Sequence, residues 1–243
     1  MELKKVAIVD WGNTRVKLAL IHQKKYQIDA FKHGESRELR NRITQFDPDA
    51  ILIAGSGEVN QDLQRDISAR FLTIVFNANT PLPIDVDYDS RATVGSDRLA
   101  NCVQAYSKHP GRDVITVDLG TCITYDILRE NTFVGGVISP GLWMRSRAMN
   151  QFTARLPEVT IPKTMPELIG TSTVEALQSG AKNGWMIEIF GMIENMEAKL
   201  SDPVIVLTGG DLPHFDRALK STIFADPYWT IKGYEEILRF NAM

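Results

Sequence analysis

Short apolar runs separated by polar turns dominate the start of the chain, and these runs predict strands. Three of them, at 6–10, 15–21 and 25–31, follow one another so closely that an antiparallel meander is expected. After the meander, the pattern changes between helical and strand-like periods. The predicted elements are a charged helix at about 36–46, a buried strand at 50–55, a helix near 58–70, a strand at 72–78 and a helix at 94–107.

The same pattern begins again after the loop at 108–113. The stretch 114–128 aligns with 6–20 at a constant offset of 108, and two Val, one Asp and one Gly are identical in the two stretches. The turn ILIAGSG at 51–57 likewise has a later counterpart, IVLTGGD at 205–211. Further elements are expected as a strand at 132–139, a long helix at 171–199, a strand at 222–227 and a terminal helix at 231–240. The repeat predicts a duplicated βββαβαβ domain, divided into residues 1–112 and 113–243, with a cleft between the halves.

Composition excludes several classes of protein. The chain has 243 residues, of which 44% are hydrophobic, so it can bury a sizeable core. A net charge of −3 and a pI near 5.8 argue against nucleic-acid and membrane-surface partners. Asp10 interrupts the N-terminal apolar segment, and no other run has the roughly 20 apolar residues of a membrane span. Cys102 and Cys122 form no disulfide or metal framework, and the histidines lack metal-ligand spacing. A cytoplasmic protein is expected.

Two aspartates, Asp10 and Asp118, end equivalent strands, so in a duplicated fold they flank one cleft. Gly12 and Gly120 follow them and allow the backbone to approach a ligand closely. Polar donors suited to phosphate oxygens stand beside both turns, and the GSG and TGGD turns offer further contacts. These donors are Asn13, Thr14, Lys17, Thr121 and Thr124. The alternative is that each Asp-x-Gly simply forms a tight turn, in which Asp caps its own backbone. Neither a Walker A loop nor GxGxxG occurs.

The stretch TVGSDRLAN at 93–101 is typical of a helix start, with Ser96 near the N-cap. One interpretation makes Asp97 a base that accepts a hydroxyl proton, while Arg98 holds an anionic group. The other is that Asp97 only favours the helix dipole and Arg98 faces solvent. Spacing leaves both open. Two further segments have simpler interpretations: 139–149 as packing with solvated arginines, and the apolar stripe of Trp185, Ile189, Met192, Ile193 and Met196 as core or dimer contact.

With these motifs assembled, the chain resembles type III pantothenate kinases, which are members of the acetate kinase/actin-like superfamily. The first motif of that family, DxGNTxxK, matches Asp10 to Lys17, and its GxDR matches Gly95 to Arg98. Its second DxGT matches Asp118 to Thr121, and GGxIxPG matches Gly135 to Gly141. TGG at 208–210 and a terminal DPxxTxKG pattern from 226 onward also match, so the resemblance runs almost end to end.

The resemblance implies an α/β fold of two duplicated ribonuclease H-like domains, the actin-like ATPase fold, and ATP-dependent phosphorylation of pantothenate. By this analogy, the loop from Asp10 to Lys17 and Thr121 bind ATP phosphates, and Asp97 is the general base. The pantothenate contacts implied are Tyr88, Gly95, Ser96, Arg98 and Thr173. Asp118 is implied as ligand of a monovalent cation, K⁺ or NH4⁺, required beside Mg²⁺. A homodimer with pantothenate bound at the subunit interface is also implied.

Two positions depart from the family pattern. Arg91 stands where the family has proline, which leaves the rigidity of that loop open, and Ser172 replaces an asparagine before Thr173. Three alternatives to a pantothenate kinase remain: a kinase for another small hydroxyl acceptor, a non-catalytic regulatory relative, and a module that binds ATP without turnover. The presence of Asp97 and Asp118 argues against the non-catalytic relative.

Overall fold

The structure is a computed structural model that describes residues 3–12, 14–55, 60–215 and 223–242. The chain divides into two compact units, which are described separately. The first unit contains the residues up to Pro110, residues 131–133 and the residues from Trp229 onward; the second contains 111–130 and 134–228.

The strands are β1 (Lys5–Trp11), β2 (Val16–His22), β3 (Lys25–Phe31), β4 (Ala50–Ala54), β5 (Leu72–Val75), β6 (Asp85–Val86), β7 (Val114–Leu119), β8 (Cys122–Arg129), β9 (Thr132–Pro140), β10 (Val204–Thr208) and β11 (Ile223–Ala225). The α-helices are α1 (Ser36–Phe46), α2 (Gln61–Ser68), α3 (Ser96–Lys108), α4 (Leu142–Gln151), α5 (Thr173–Glu197) and α6 (Trp229–Asn241). Within these described residues, no helix is both long and apolar enough to cross a membrane.

The first unit is built on the sheet β3-β2-β1-β4-β5. β1 is antiparallel to β2 and parallel to β4, so the predicted meander and the later strands join in one sheet. All five side chains of β4 are buried, as expected for a central strand covered on both faces. Leu39 and Ile43 of α1 and Leu63 and Ile67 of α2 pack into the core of this sheet. The periodic apolar positions of both helices therefore cover the sheet.

Helices α3 and α6 complete the first unit and lie very close together. A Cβ placed on Gly233 would lie 1.9 Å from the carbonyl oxygen of Ala100, so only glycine permits this approach. The indole Nε1 of Trp229 also donates to the carbonyl of Asn101 over 3.1 Å. The short strand β6 pairs with the first two residues of β9; it was not among the elements predicted from the sequence.

The second unit repeats the plan of the first. Its strands are arranged as β11-β10-β7-β8-β9, with β7 antiparallel to β8 and parallel to β10. The predicted duplication is thereby confirmed in strand order and direction. Helix α5 buries Trp185, Ile189 and Ile193 in the core of this unit, so of the two interpretations of the apolar stripe, core or dimer contact, these residues fit the first.

A buried lysine of α5 fixes a nearby irregular segment. Lys182 is fully buried, and its Nζ donates to the carbonyls of Pro162 (2.9 Å), Lys163 and Thr164 (3.1 Å). Three carbonyl oxygens satisfy the three donors of an ammonium group. The backbone at 162–164 is therefore held by a cation that belongs to the chain.

Candidate active site

The first Asp-x-Gly turn closes the β1–β2 hairpin. Gly12 N–H donates to the carbonyls of Asp10 (3.2 Å) and Arg15 (3.1 Å), which makes the turn tight. Asp10 is half-buried at the end of β1, and its register partner on β2 is Lys17, which is exposed like Thr14. Asn13 lies outside the described residues. The turn thus brings together a carboxylate, a hydroxyl and an ammonium-bearing residue, which are groups of the kind found in phosphate-binding loops.

The second Asp-x-Gly turn closes the β7–β8 hairpin in the same way. Gly120 N–H donates to the carbonyl of Cys122 over 3.1 Å, and Asp118 pairs in register with Thr124. Asp118 is half-buried, whereas Thr121 is exposed at the tip of the turn. The hydroxyl of Thr121 is accordingly open to a ligand in the second unit, and Thr124 donates its hydroxyl proton to Asp126 over 3.1 Å instead.

A glycine of left-handed backbone packs behind each turn. Gly55 follows β4 with φ +143°, and a Cβ there would lie 2.3 Å from the carbonyl oxygen of Trp11. Gly209 follows β10 with φ +103°, and its Cβ would lie 2.5 Å from Asp118 Oδ1 and from the backbone of Leu119. Both positions require glycine on two counts, positive φ and backbone contact. Residues 56 and 57 of the GSG turn lie outside the described residues.

The carboxylate of Asp118 fits the role of a cation ligand. Its Oδ1 stands against the backbone of Gly209, and a Cβ on Gly120 would also lie only 3.3 Å from it. Two glycines therefore leave one carboxylate oxygen in a cradle that a side chain would fill. A hard carboxylate oxygen is the ligand type that K⁺-like and Mg²⁺-like cations take from proteins. Within the described ranges, including the surroundings of Asp118, no cluster of three or more His, Cys, Asp or Glu residues could hold a metal.

The start of helix α4 closes over the second turn. Gly141 N–H donates to the carbonyl of Thr121 over 3.1 Å, and a Cβ on Gly141 would lie 2.2 Å from the carbonyl oxygen of Gly120. Two residues further on, Trp143 Nε1 donates to Asp211 Oδ1 over 3.2 Å. Asp211 N–H in turn donates to the carbonyl of Leu119 over 2.8 Å. Burial raises the pKa of Asp211, against the opposing effects of His214 and the indole bond.

The second predicted constellation, at the start of α3, is assembled around Asp97. Gly95 is the N-cap, and a Cβ there would lie 2.3 Å from Asp97 Oδ1, so the carboxylate folds back over the glycine. The same oxygen accepts the backbone N–H of Arg98 over 2.9 Å. Asp97 is half-buried and one of its oxygens is held by the backbone, so the carboxylate is oriented, as a general base has to be. Both initial interpretations, helix-start carboxylate and base, remain compatible with this geometry.

Arg98 is buried, contrary to the interpretation that it faces solvent. Only 4% of Arg98 is exposed. Its guanidinium carbon lies 5.8 Å from the ring centroid of Tyr88 and 5.5 Å from that of Phe133, and the two rings are 5.6 Å apart. The three distances are nearly equal, so the guanidinium packs against both rings from one side, and this packing fixes its position. Phe133 was missed by the sequence analysis, since an apolar residue in a strand gives no functional signal.

Ser96 has a structural part in addition to the substrate contact that the resemblance implies. It is only 5% exposed, and its Oγ accepts the N–H of Gly55 over 3.1 Å. The same oxygen shares a hydrogen bond with the hydroxyl of Tyr234 over 2.9 Å. These contacts tie the glycine behind the first turn to α3 and α6. The Ser96 side chain therefore supports the turn from within the first unit.

Thr173 is the first residue of α5 and is exposed. The residue before it, Ser172, caps the helix. Its Oγ accepts the N–H of Glu175, and the Glu175 carboxylate accepts the N–H of Ser172. This capping box fixes the helix start. The serine that departs from the family pattern thus has a clear local function.

The arginines of segment 139–149 were predicted to be solvated, and for Arg145 this is wrong. Arg145 forms an ion pair with Glu188 of α5, and its Nε donates to the carbonyl of Pro140 over 2.8 Å. Its side chain is only 21% exposed. Charge periodicity alone could not show this, because the partner lies 43 residues away.

Comparison with known proteins adds family information to this geometry. Residues 7–195 match the sequence profile of the family described as type III pantothenate kinase. A type III pantothenate kinase from Bacteroides fragilis is 36% identical over 237 residues, covering 96% of this chain and 97% of the relative.

Two solved structures show the fold. The ROK hexokinase of Thermus thermophilus has a TM-score of 0.51 at 12% identity, covering 98% of this chain and 100% of its own. The activator of 2-hydroxyisocaproyl-CoA dehydratase from Clostridium difficile, solved with bound ADPNP, has a TM-score of 0.54 at 10% identity, covering 98% and 94%. The predicted α/β fold of two duplicated ribonuclease H-like domains is confirmed.

Proposed function

The chain belongs to the type III pantothenate kinase family, and we propose that it transfers the γ-phosphoryl group of ATP to the primary hydroxyl of pantothenate. The products are ADP and 4′-phosphopantothenate, and the reaction is the first step of coenzyme A biosynthesis. The observation that carries the assignment is the arrangement at the start of α3. There, a carboxylate folded over Gly95 stands next to a buried arginine that packs against two aromatic rings.

Asp97 is proposed as the general base. In the transfer, the pantothenate hydroxyl oxygen bonds to the γ-phosphorus while the bond to the β–γ bridging oxygen breaks. The hydroxyl proton passes to the Asp97 oxygen that does not hold the Arg98 N–H. Because the first oxygen is bonded to the backbone, the carboxylate is oriented before the substrate arrives.

Arg98 and Tyr88 are proposed to position pantothenate. The buried guanidinium offers a fixed positive charge to the pantothenate carboxylate, and the Tyr88 ring gives an apolar wall. Gly95 leaves room for the Asp97 carboxylate to fold back. The resemblance also implies Ser96 in this role; its side chain supports the Gly55 backbone, so only its backbone is left to meet substrate.

The two Asp-x-Gly turns are proposed to hold the ATP phosphates, through Asp10, Gly12, Thr14 and Lys17 in one unit and Thr121 in the other. Asn13 is included on the family motif alone. Asp10 is proposed to face Mg²⁺, and Asp118 a monovalent cation, K⁺ or NH4⁺. When bound, these ions supply positive charge that offsets the charge of the phosphates. The chain contributes backbone amides and Lys17 to the same purpose.

We further propose a cytoplasmic homodimer. Four apolar side chains near the start and middle of α5 are strongly exposed: Leu168 (69%), Ile169 (82%), Val174 (45%) and Ile187 (67%). Exposed apolar groups of this size favour burial against a second subunit. Thr173 lies among them, which supports its proposed contact with pantothenate at a subunit interface.

The test is ADP release by the purified chain with MgATP, with and without pantothenate, in KCl and then in NaCl. Turnover that requires pantothenate and falls in NaCl is expected. Turnover with another small alcohol but not with pantothenate would point to a different acceptor. ATP binding without any acceptor-dependent turnover would favour a regulatory relative or a binding module.

A further inference from the structure

One carboxylate of α5, Glu188, collects hydrogen bonds from three other elements of the second unit. Tyr125 of β8 donates its hydroxyl over 3.3 Å. Ser139, near the end of β9, donates its hydroxyl, and Arg145 of α4 donates its guanidinium. Burial acts to raise the pKa of Glu188, but the bonds from Ser139, Arg145 and Tyr125 and the charge of Arg145 together lower it. The group is therefore a carboxylate at neutral pH.

These contacts converge on the bend between β9 and α4. Ser139 precedes the bend, Arg145 follows it, and the Nε of Arg145 donates to the carbonyl of Pro140 inside it over 2.8 Å. The bend is thus tied on both sides to a single side chain. A charge-assisted network of this kind fixes backbone more firmly than neutral hydrogen bonds.

The bend is also in direct contact with the second Asp-x-Gly turn. The N–H of Gly141 donates to the carbonyl of Thr121, and the two backbones are so close that a Cβ on Gly141 would lie 2.5 Å from that carbonyl oxygen. Backbone contact this close transmits small displacements, because neither side has a flexible side chain that could yield. A shift of the bend must therefore shift Thr121.

We propose that Glu188 is a positioning residue for the nucleotide: by holding the β9–α4 bend, it sets the place of the Gly120–Thr121 turn. This rests on the proposed function in one respect, namely that the turn binds ATP phosphates. Glu188 itself stays behind the turn and contacts neither substrate. Its loss should weaken ATP binding and leave the affinity for pantothenate unchanged.

The first variant is Glu188→Gln, which keeps the size of the side chain but removes the charge that Arg145 requires. The KM for ATP should rise about tenfold, since displacements of about 1 Å at a phosphate site have effects of this order or larger. The KM for pantothenate should stay within about twofold, because the Asp97 side of the reaction is untouched. A measurement of ADP affinity by calorimetry gives a readout independent of turnover, and it should weaken in parallel.

Two control variants on the same helix separate positioning from loss of stability. Glu194→Gln removes an exposed carboxylate of α5 and should change neither KM nor Tm. Ile189→Val shortens a fully buried side chain next to Glu188 and should lower Tm while leaving the KM for ATP unchanged. Should Ile189→Val raise the KM for ATP as much as Glu188→Gln at equal loss of Tm, the role of Glu188 is only structural and the proposal is wrong.

A double variant tests whether Glu188 and Arg145 act as one unit. Arg145→Lys keeps a positive charge but cannot donate a planar Nε to Pro140 while also pairing with Glu188. Combined with Glu188→Gln, it should raise the KM for ATP no further than the larger single effect. Additive effects would contradict the shared bend.

The outcomes also distinguish this proposal from the assignment of function. A chain that binds ADP but does not phosphorylate pantothenate, and whose Glu188→Gln variant binds ADP more weakly, would overturn the assigned acceptor and uphold the positioning role. If the chain phosphorylates pantothenate and the KM for ATP is unchanged in Glu188→Gln, the assigned acceptor is upheld and the positioning role is overturned.

Discussion

The two Asp-x-Gly turns have the same backbone plan but different support. In both, the glycine amide closes the hairpin, and a glycine with positive φ, Gly55 or Gly209, packs behind it. The first turn is supported by a buried hydroxyl, that of Ser96, which holds the Gly55 amide. The second has the α4 bend on top of it, with Gly141 against Thr121.

This difference shows which part of a duplicated fold is free to diverge. Strand register and backbone contact at the glycines are fixed by geometry, because any Cβ would collide with a neighbouring strand end. The supporting side chains are not so constrained, since a hydroxyl or a carboxylate network can each hold a loop. Four predictions use this contrast, in order of expected effect.

The largest effect should come from adding a single methyl group behind either turn. Gly55→Ala and Gly209→Ala each place a Cβ within 2.5 Å of backbone atoms at a positive φ. A loss of at least about 3 kcal/mol in the free energy of unfolding is expected for both, since backbone cannot move aside. Urea denaturation measures it. Gly180→Ala in α5, which meets nothing within 4 Å, is the control and should be neutral or stabilising. If alanine is tolerated at only one of the two positions, the backbone contacts behind the two turns are not equivalent.

Removing the charge of each aspartate should separate the two turns functionally. Asp118→Asn is expected to abolish the difference between rates in KCl and NaCl, with activity in KCl reduced on the order of 100-fold. Asp10→Asn should keep that difference and instead raise the Mg²⁺ concentration needed for half-maximal rate. Initial rates over a matrix of the two cations provide the measurement. If both variants lose the K⁺ effect equally, the division of roles between the turns is incorrect.

Loss of the Ser96 hydroxyl should have an intermediate effect, confined to the first turn. Ser96→Ala leaves the Gly55 N–H and the Tyr234 hydroxyl without their shared partner in a buried place, which costs about 2 kcal/mol. Tyr234→Phe removes one of the two bonds and should cost about half as much. Thermal and urea unfolding report both values. A KM change for pantothenate without loss of stability would instead favour direct contact of Ser96 with substrate.

The smallest effect is expected in the pH dependence of stability. The folded-state pKa of Glu188 lies below its ordinary value of 4.5, so its stabilising effect is complete above that value and is lost as the pH falls through the lowered pKa. The difference in stability between Glu188→Gln and the wild type should therefore become smaller as the pH is lowered from neutral into the acidic range below 4.5. Urea midpoints across that range test this, with Glu194→Gln as the variant that should follow the wild type throughout.

Much of the fold could be predicted from the sequence because it is local and periodic. The repeat of Val, Val, Asp and Gly at Asp10 and Asp118 marks two equal strands, and the structure places both aspartates at the ends of β1 and β7. The apolar stripe of α5 likewise indicates its buried face. The spacing of apolar positions shows which face of a helix or strand is buried, but it does not show which residues contact that face.

The supporting contacts could not be predicted, because they join residues far apart in the chain. Ser96 meets Tyr234 across 138 residues, and Glu188 meets Ser139 across 49. A serine at a helix start has the same local pattern whether it faces substrate or holds a distant loop. Likewise, Arg145 has the spacing of a solvated charge, and only the tertiary fold brings Glu188 to it.

Lys182 places a covalently attached ammonium group among backbone carbonyls, where it cannot exchange with ions in solution. Its ammonium group sits among the carbonyls of Pro162, Lys163 and Thr164 as an exchangeable NH4⁺ would, yet it is covalently attached. Replacement of K⁺ by Na⁺ in solution therefore leaves that segment unchanged. The role proposed for Asp118 requires a cation that exchanges with the solution, so a comparison of rates in KCl and NaCl tests that proposal and does not act through the segment at 162–164.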